Sequence, residues 1–239
     1  GKYDPSIGLA HKIAVLFDCD GLMFNTEKIS QKMWYQEAEK FHTTIPDTFF
    51  QAITGARRDD NFLTQFKEID HLSEIIHAVH GKRFDLNFWG NYAPDGLNKK
   101  GLIELYQFLK TNENLQAVCS SSSRKYVEEL LRTVSIPMHF DVIVGGDMVQ
   151  KGKPDPEIFL KAAELLGVNP KECLVLEDSK QGILAAKHAG MHSCFIQDTI
   201  EPDEEMRSAV EFQRDDLSQV IEIVKKGERN GLSTVERTI

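Results

Sequence analysis

The sequence has 239 residues, of which 41% are hydrophobic and 27% are charged, which suits one large globular domain or a core domain with a smaller insertion. Acidic residues outnumber basic ones by 37 to 28, and the net charge of −9 argues against nucleic acid or an anionic membrane as partner. The chain has neither a membrane-length apolar stretch nor a signal-peptide pattern, and its four cysteines lack metal-site spacing. We therefore expect a cytoplasmic protein, a monomer by default, with buried reduced thiols.

The first recognisable element is an apolar run over residues 13–17 that leads directly into Asp18, Cys19, Asp20 and Gly21. A continuous apolar run closed by glycine predicts a strand that is buried on both faces. Two carboxylates one residue apart repel each other unless a cation or a shared proton lies between them. The pair therefore indicates a metal site at the end of this strand. Thr26 is the predicted N-cap of the helix that follows.

A helical block interrupts the strand and helix alternation that characterises the rest of the chain. We interpret it as a helical cap domain over residues 28–94, inserted into a core domain made of residues 1–27 and 95–239. The turn signal Pro94-Asp95-Gly96 predicts the hinge where the chain returns to the core. The segments with a helical pattern are residues 27–42, a stretch that starts near Asp47, and residues 58–70 and 73–89.

Two features of the predicted cap could bind a ligand. Gly55 permits a tight loop, from which Arg57 or Arg58 can reach an anion, although Arg58 can equally pair with a neighbouring aspartate. His77 and His80 lie three residues apart on one predicted helix. With no third ligand nearby, we expect a solvated pair rather than a metal site.

From residue 97 onward, predicted strands and helices alternate, which predicts an α/β fold: a Rossmann-like parallel sheet flanked by helices. The last predicted strand is residues 192–196, and residues 227–239 are expected to form a polar tail. The predicted strands are residues 115–119, 140–144, 173–176 and 192–196, and the predicted helices are residues 97–109, 124–134, a helix capped by Asp155 with Pro156 at its first position, 180–189 and 217–225.

Several of these strands end in polar side chains that can bind a phosphate or a metal. Ser120, Ser121, Ser122 and Ser123 follow the second strand and precede a helix, and this arrangement of hydroxyls at a helix N-terminus is an anion site. Ser122 or Ser123 is expected to cap the helix. Because the carboxyl ends of parallel strands meet at one edge of a sheet, we expect these serines to lie beside the first pair of acids.

A second pair of acids, Glu177 and Asp178, follows the fourth strand, so this pair matches the first pair in kind and in position. Oxygen ligands without histidine or cysteine are the donors that Mg²⁺ prefers. The predicted cofactor is therefore Mg²⁺, with Asp18, Asp20, Glu177 and Asp178 as the candidate metal site. We expect the metal to take the carboxylates of Asp18 and Asp178 and the backbone carbonyl of Asp20.

The residues from Phe17 to Glu27 closely resemble the first motif of the haloacid dehalogenase superfamily, in the branch of phosphatases and beta-phosphoglucomutase-like enzymes. The segments Ser120–Ser123, Lys153–Phe159 and Glu177–Gly182 resemble the second, third and fourth motifs. Lys151 is an alternative for the motif lysine, but only Lys153 has the flanking Pro-Asp-Pro. The resemblance covers residues 10–225 and is specific for the superfamily rather than for a substrate.

The resemblance implies an enzyme that transfers a phosphoryl group of a small phosphorylated metabolite. Asp18 would attack phosphorus to form an aspartyl-phosphate, while Asp20 would protonate the leaving alcohol and then deprotonate the attacking water. Other matched positions would hold the substrate or the metal. The implied roles are phosphate binding for Ser120 and Ser121, charge neutralisation for Lys153, metal binding for Asp178, a place near the metal's water shell for Glu177, and substrate contact from the cap for Gly55 and Arg58.

The expected function is a Mg²⁺-dependent phosphatase that acts on a small phosphomonoester such as a sugar phosphate. The mutase branch carries a histidine on the first cap helix, whereas this chain has Ser30 at that position, which favours water as the phosphoryl acceptor. A beta-phosphoglucomutase-like phosphotransferase and a catalytically idle phosphosugar-binding module stay open as alternatives.

Overall fold

The computed structural model describes residues 12–55, 61–83, 89 and 96–235. In this part of the chain six strands form one parallel sheet, which confirms the predicted α/β fold. The strands are β1 (Ala14–Phe17), β2 (Gln116–Cys119), β3 (Val142–Val144), β4 (Cys173–Glu177), β5 (His192–Ile196) and β6 (Phe212–Arg214). Their order across the sheet is β3-β2-β1-β4-β5-β6, so β1 lies between β2 and β4. The three-residue edge strand β6 was not predicted.

Helices lie between the strands, and the first four described helices after β1 are consistent with the predicted cap. These four are α1 (Thr26–Glu39), α2 (Asp47–Ile53), α3 (Asn61–Gln65) and α4 (Leu72–Lys82). The remaining helices are α5 (Leu102–Thr111), α6 (Arg124–Leu131), α7 (Glu157–Leu166), α8 (Lys180–His188), α9 (Glu204–Ala209) and α10 (Val220–Asn230). None of the described helices is long and apolar enough to cross a membrane.

The sheet is buried on both faces, as the unbroken apolar sequence of β1 predicts. Val15 and Phe17 belong to one apolar cluster, while Ala14 and Leu16 belong to the cluster on the opposite face. All four side chains are nearly inaccessible to solvent. Because successive strand residues point to opposite faces, this alternation fixes the register of β1 against its neighbours and the position of Asp18 at its carboxyl end.

Two segments that link the predicted core and cap pair with each other beside the end of β1. The backbone N–H of Asn25 donates to the carbonyl of Leu97, and the N–H of Lys99 donates to the carbonyl of Met23, both at 2.8 Å. Lys99 Nζ also donates to the buried carboxylate of Asp198 at 2.6 Å. These contacts anchor both linkers to the core. The predicted hinge residues Pro94 and Asp95 lie outside the described residues, so the domain boundaries stay a prediction.

Several local predictions need correction. Thr26 is not an N-cap: it is the first residue of α1, and its hydroxyl donates to a carboxylate, as described below. Pro156 occupies the N-cap position of α7 rather than its first turn, although Asp155 accepts from the Glu157 N–H at 3.0 Å as a capping side chain would. Ser123 does cap α6, since its hydroxyl accepts from the Tyr126 N–H.

Residues 227–235 pack on the core rather than forming the predicted polar tail, whose last four residues lie outside the described part of the chain. Helix α10 continues to Asn230, and a 3₁₀ turn (Leu232–Thr234) follows it. Gly227, Leu232 and Val235 are buried. A side chain at position 227 would meet Ile13 and Leu232, so a glycine there lets the helix pack closely against the start of β1.

Candidate active site

A cavity of about 330 Å³ lies over the carboxyl ends of β1 and β2, with helices of the predicted cap on its other side. The core lines it with Asp18, Asp20 and the serines that follow β2. Helices α1 and α2 add an apolar wall. The residues that line it are Asp18, Asp20, Glu27, Ser30, Gln31, Trp34, Phe50, Ile53, Gly55, His80, Arg83, Ser120, Ser121, Ser122, Ser123 and Tyr126.

Asp18 lies at the floor of this cavity and is paired with Lys153. Lys153 Nζ contacts Asp18 Oδ1 at 3.0 Å and Glu177 Oε2 at 2.7 Å, and it donates to the carbonyl of Cys119 at 2.9 Å. The lysine side chain is fully buried. Although burial alone lowers the pKa of Lys153, the carboxylates of Asp18 and Glu177 raise it above its ordinary value. Lys153 is therefore a permanent cation beside Asp18.

Three buried carboxylates crowd together around this lysine. Oxygen atoms of Asp18, Glu177 and Asp178 lie within 4.8 Å of one another, which makes them a candidate metal site among the described residues. Burial and the neighbouring carboxylates raise the pKa of Asp178, and burial together with the Asp18 charge raises the pKa of Glu177 to about 7. When all three carboxylates are ionised, a single lysine leaves two negative charges here, and a divalent cation would balance them.

Asp178 gives a specific reason to expect a cation. Among the described residues, no donor lies within hydrogen-bond distance of either of its carboxylate oxygens, and both oxygens are buried. An unpaired carboxylate is costly to bury unless it coordinates a metal ion or takes up a proton. The residues present therefore fit a hard divalent cation that is bound by carboxylate oxygens.

The residue that directly follows the first pair of acids must be a glycine. Gly21 has a φ of +82°, and a Cβ at this position would lie 2.1 Å from Asp178 Oδ2. The chain therefore bends closely around the carboxylate that follows β4. This close approach brings the end of β1, which carries Asp18 and Asp20, against the second pair of acids.

The serines that follow β2 lie beside Asp18 and reach the cap. Ser120 is buried, and its hydroxyl accepts from the Ser122 N–H at 3.0 Å. Ser121 Oγ donates to the carbonyl of Gly55 at 2.7 Å, which joins the core to the loop after α2. Gly55 has a φ of +78°, and a Cβ there would lie 2.0 Å from Ser179 Oγ. Only glycine allows this loop to approach the core so closely.

Asp20 has surroundings quite different from those of Asp18. Thr26 Oγ1 and the Tyr126 hydroxyl donate to its Oδ1 at 2.6 and 2.8 Å, and Ser122 Oγ donates to its Oδ2 at 2.9 Å. Arg83 Nη2 lies 3.6 Å from Oδ2. Burial and the charge of Asp20 raise the pKa of Tyr126 well above its ordinary value, so this hydroxyl keeps its proton and donates.

Sequence reasoning did not identify the residues that surround Asp20. Arg83 and Tyr126 carried no motif, and Ser122 was considered as a helix cap and as one hydroxyl of the predicted anion site, not as a donor to Asp20. Tyr126 lies in the first turn of α6, two residues after the helix begins, and Arg83 directly follows α4. The proximity of Ser122 and Tyr126 to Ser120 in sequence was an available signal. For Arg83 there was none, because its contact with Asp20 depends on how the cap packs on the core.

Some predicted site residues are not tested by this geometry. Arg57 and Arg58 lie outside the described residues, so substrate contact by Arg58 stays a prediction. His77 and His80 are both exposed on α4, and His80 also lines the cavity. The Asp20 carboxylate is not among the clustered metal-binding groups.

Comparison with known proteins gives one consistent family. Residues 15–196 match the family described as haloacid dehalogenase-like hydrolase. A phosphorylated carbohydrates phosphatase from Thermotoga maritima is 31% identical over 185 residues, which are 76% of this chain and 83% of that protein. A beta-phosphoglucomutase from Bacillus subtilis is 33% identical over 184 residues, which are 74% of this chain and 80% of that protein.

The fold is also shared with solved structures. The crystal structure of a beta-phosphoglucomutase from Clostridium difficile superposes with a TM-score of 0.71 at 25% sequence identity. The superposition covers 91% of this chain and 97% of that one. The similarity therefore extends over both the sheet and the helical block between β1 and β2.

Proposed function

The chain belongs to the haloacid dehalogenase-like hydrolase family, in the beta-phosphoglucomutase-like branch with its phosphatases, and we propose that it is a Mg²⁺-dependent phosphatase of a small phosphomonoester. The observation that supports this best is the buried group of Asp18, Lys153, Glu177 and Asp178. Its two uncompensated negative charges and unpaired Asp178 oxygens suit a divalent cation beside a carboxylate nucleophile.

In this proposal Asp18 and Asp178 hold Mg²⁺, together with the backbone carbonyl of Asp20, and Glu177 lies at the edge of the site. The bound cation would neutralise negative charge on the phosphoryl oxygens. Asp18 is the nucleophile, and Lys153 beside it holds its carboxylate in place and attracts the dianionic phosphoryl group. The Ser120 hydroxyl would donate to one of the remaining phosphoryl oxygens.

Asp20 is the proposed general acid and base. A new bond from Asp18 to phosphorus forms as the ester bond breaks, and the leaving oxygen takes a proton from Asp20. Asp20 then takes a proton from the water that cleaves the aspartyl-phosphate. The hydroxyl donors around Asp20 keep its carboxylate apart from the acidic cluster, so the two aspartates can have different roles.

The size and lining of the cavity support a small substrate. A volume of about 330 Å³ is at the lower end of ligand cavities, and α1 and α2 supply an apolar wall of Trp34, Phe50 and Ile53. Polar groups such as Ser30 and Gln31 can meet hydroxyl groups of the alcohol. The Thermotoga maritima relative is named a phosphatase of phosphorylated carbohydrates, which supports a sugar phosphate as the substrate class.

A beta-phosphoglucomutase-like transfer is the second candidate. It is favoured by the relatives of that name and by His80, which brings an imidazole to the cavity from α4 although position 30 is a serine. A mutase would move a phosphoryl group between sugar positions when a sugar monophosphate is supplied with a bisphosphate primer. A phosphatase would instead release inorganic phosphate into water.

The test is phosphate release from a panel of small phosphomonoesters, in Mg²⁺ and in chelator. The variants are Asp18→Asn and the matched control Asp70→Asn, which changes an exposed aspartate of the cap. We expect Mg²⁺-dependent release by the wild type and Asp70→Asn, and none by Asp18→Asn. Isomerisation of a primed sugar phosphate without phosphate release would establish the mutase instead. Binding of the sugar phosphates without turnover would point to an idle module.

A further inference from the structure

Arg83 is the contribution of the predicted cap to the surroundings of Asp20. It directly follows α4, and the Trp89 indole N–H donates to its backbone carbonyl at 2.9 Å. Its Nη2 donates to Ser122 Oγ at 2.7 Å and lies 3.6 Å from Asp20 Oδ2. Only 14% of its side chain is exposed. The arginine is therefore fixed at both its backbone and its guanidinium group.

Tyr126 is the matching contribution of the core. The guanidinium carbon of Arg83 lies 4.3 Å from the centroid of the Tyr126 ring, so the cation stacks over the aromatic face. The hydroxyl of the same ring donates to Asp20 Oδ1 at 2.8 Å. One side chain thus supports the cap cation with its face and holds the aspartate with its hydroxyl.

Arg83, Ser122 and Asp20 form a chain of hydrogen bonds in which each group donates to the next. Ser122 has one hydroxyl proton, and it donates this proton to Asp20 Oδ2, so its oxygen is free to accept from Arg83. Arg83 therefore acts on one carboxylate oxygen through Ser122, while Tyr126 acts on the other oxygen directly. Without Arg83, Ser122 could rotate away and leave Oδ2 without a directed donor.

We propose that Arg83 and Tyr126, which we call the clasp, are positioning residues that orient the Asp20 carboxyl group for proton transfer to the leaving group. The proposal rests on the proposed function. In the step it serves, the Asp18 oxygen bonds to phosphorus, the ester bond breaks with its electron pair on the leaving oxygen, and that oxygen takes the Asp20 proton. In the second step Asp20 recovers a proton from water as the water oxygen displaces Asp18.

A positioning role differs from a purely structural one in its dependence on the leaving group. An alkyl phosphate must expel an alkoxide, which needs a proton, whereas 4-nitrophenyl phosphate expels a stable phenolate that does not. Loss of correctly oriented Asp20 therefore reduces turnover of the alkyl ester more than that of the aryl ester. Side chains that only stabilised the fold would, when lost, reduce turnover of both esters to the same extent.

The experiment compares kcat and KM for an alkyl phosphate and for 4-nitrophenyl phosphate in the Mg²⁺-loaded enzyme. We expect Tyr126→Phe to lower the ratio of alkyl to aryl kcat/KM by about tenfold or more, mainly through kcat for the alkyl ester. Arg83→Met should lower the ratio in the same direction. Arg83→Lys keeps the charge but loses the planar group, so it should recover part of the loss.

A double variant gives the sharpest readout. Because the clasp acts through Asp20, adding Tyr126→Phe to Asp20→Asn should lower the alkyl-to-aryl ratio no further than Asp20→Asn alone. The matched control is Tyr35→Phe, which alters an exposed tyrosine of α1 and should leave the ratio unchanged.

Equal losses for both esters in Tyr126→Phe, or an additional fall of the ratio in the double variant, would overturn the clasp and leave the phosphatase proposal intact. A wild type that releases no phosphate from either ester with Mg²⁺ would overturn the proposed function, and the clasp with it. If Arg83→Met fails to fold, Arg83→Lys and Tyr126→Phe still test the clasp, since both substitutions preserve most of the packing.

Discussion

The two aspartates of the β1 motif lie one residue apart but have opposite surroundings. Asp18 lies among buried groups that all follow strands of the sheet, where it contacts a lysine and neighbours two more carboxylates. Asp20 is held by hydroxyls from α1 and from the segment after β2, and by Arg83 of the predicted cap. The first environment suits a fixed anion at a metal, whereas the second orients a carboxylate that lies apart from the acidic cluster and lines the cavity.

This difference suggests a division of labour within one site. The predicted core supplies every residue described here around Asp18, so phosphoryl transfer to Asp18 depends on residues of the core. The residues around Asp20 come from both the predicted core and the predicted cap, so proton transfer depends on residues of both. The predictions below separate the two parts experimentally.

The largest expected effect is the loss of activity in Asp20→Asn, and its size should depend on the leaving group of the substrate. Asp20→Asn should lower kcat/KM for an alkyl phosphate by about 10²–10⁴-fold, because general acid–base catalysis supplies rate factors of that size. The effect on 4-nitrophenyl phosphate should be much smaller. The measurement is steady-state kinetics on both esters with Mg²⁺. Equal losses on both would contradict the separate role of Asp20.

Lys153→Met should affect the Asp18 group instead, and it should slow both esters alike. It also leaves Asp18 and Glu177 buried without their cation, which should destabilise the metal-free protein by about 3–5 kcal/mol. The measurement is denaturant unfolding in chelator. Lys180→Met is the matched control, because that lysine pairs with Asp203 at the surface and should change the stability by less than about 1 kcal/mol. Similar losses in both variants would contradict the account.

How much of this arrangement the sequence reveals depends on how each residue is positioned. Asp18, Ser120, Lys153 and Asp178 follow strands or a short motif, and a parallel sheet brings the ends of its strands together at one edge. Their proximity could therefore be predicted from local pattern. Arg83 ends a cap helix with no special signature, and only the packing of that helix on the core brings it to Asp20.

The errors in the fold prediction also have physical causes. Strand β6 has three residues at the sheet edge, which is too short for an alternating pattern to stand out. Thr26 has the residue type of an N-cap, but its hydroxyl finds a stronger acceptor in the Asp20 carboxylate. Residues 227–235 look polar as a group, yet Gly227, Leu232 and Val235 pack on the core.

A smaller effect should come from the metal itself. Mg²⁺ at about 100 times its Kd should stabilise the wild type by about 2.7 kcal/mol, since a ligand of the native state alone shifts the folding equilibrium by mass action. Thermal unfolding with and without Mg²⁺ measures this shift. Asp178→Asn should abolish the shift, and Asp70→Asn should keep it. An unchanged shift in Asp178→Asn would contradict the proposed metal site.

A further effect concerns the pH dependence of stability in the metal-free protein. Burial and the Asp18 charge raise the pKa of Glu177 from 4.5 to about 7 on folding. The native state therefore binds a proton that the unfolded state releases between these values, so stability should fall as pH rises through this window. Mg²⁺ should offset the fall, because it favours the ionised carboxylates. Unfolding curves from pH 4.5 to 7 in chelator check the sign, and a rise in stability from this group would contradict it.

The most direct measurement of the central claim is the site of phosphorylation. The enzyme is mixed with Mg²⁺ and a sugar phosphate, quenched in acid within the first turnover, and its intact mass and peptides are determined. The account predicts one added phosphoryl group on Asp18, absent in Asp18→Asn and longer-lived in Asp20→Asn, where the base that activates water is lost. A phosphoryl group on Ser120 or on any other residue, or turnover that proceeds unchanged in Asp18→Asn, would contradict it.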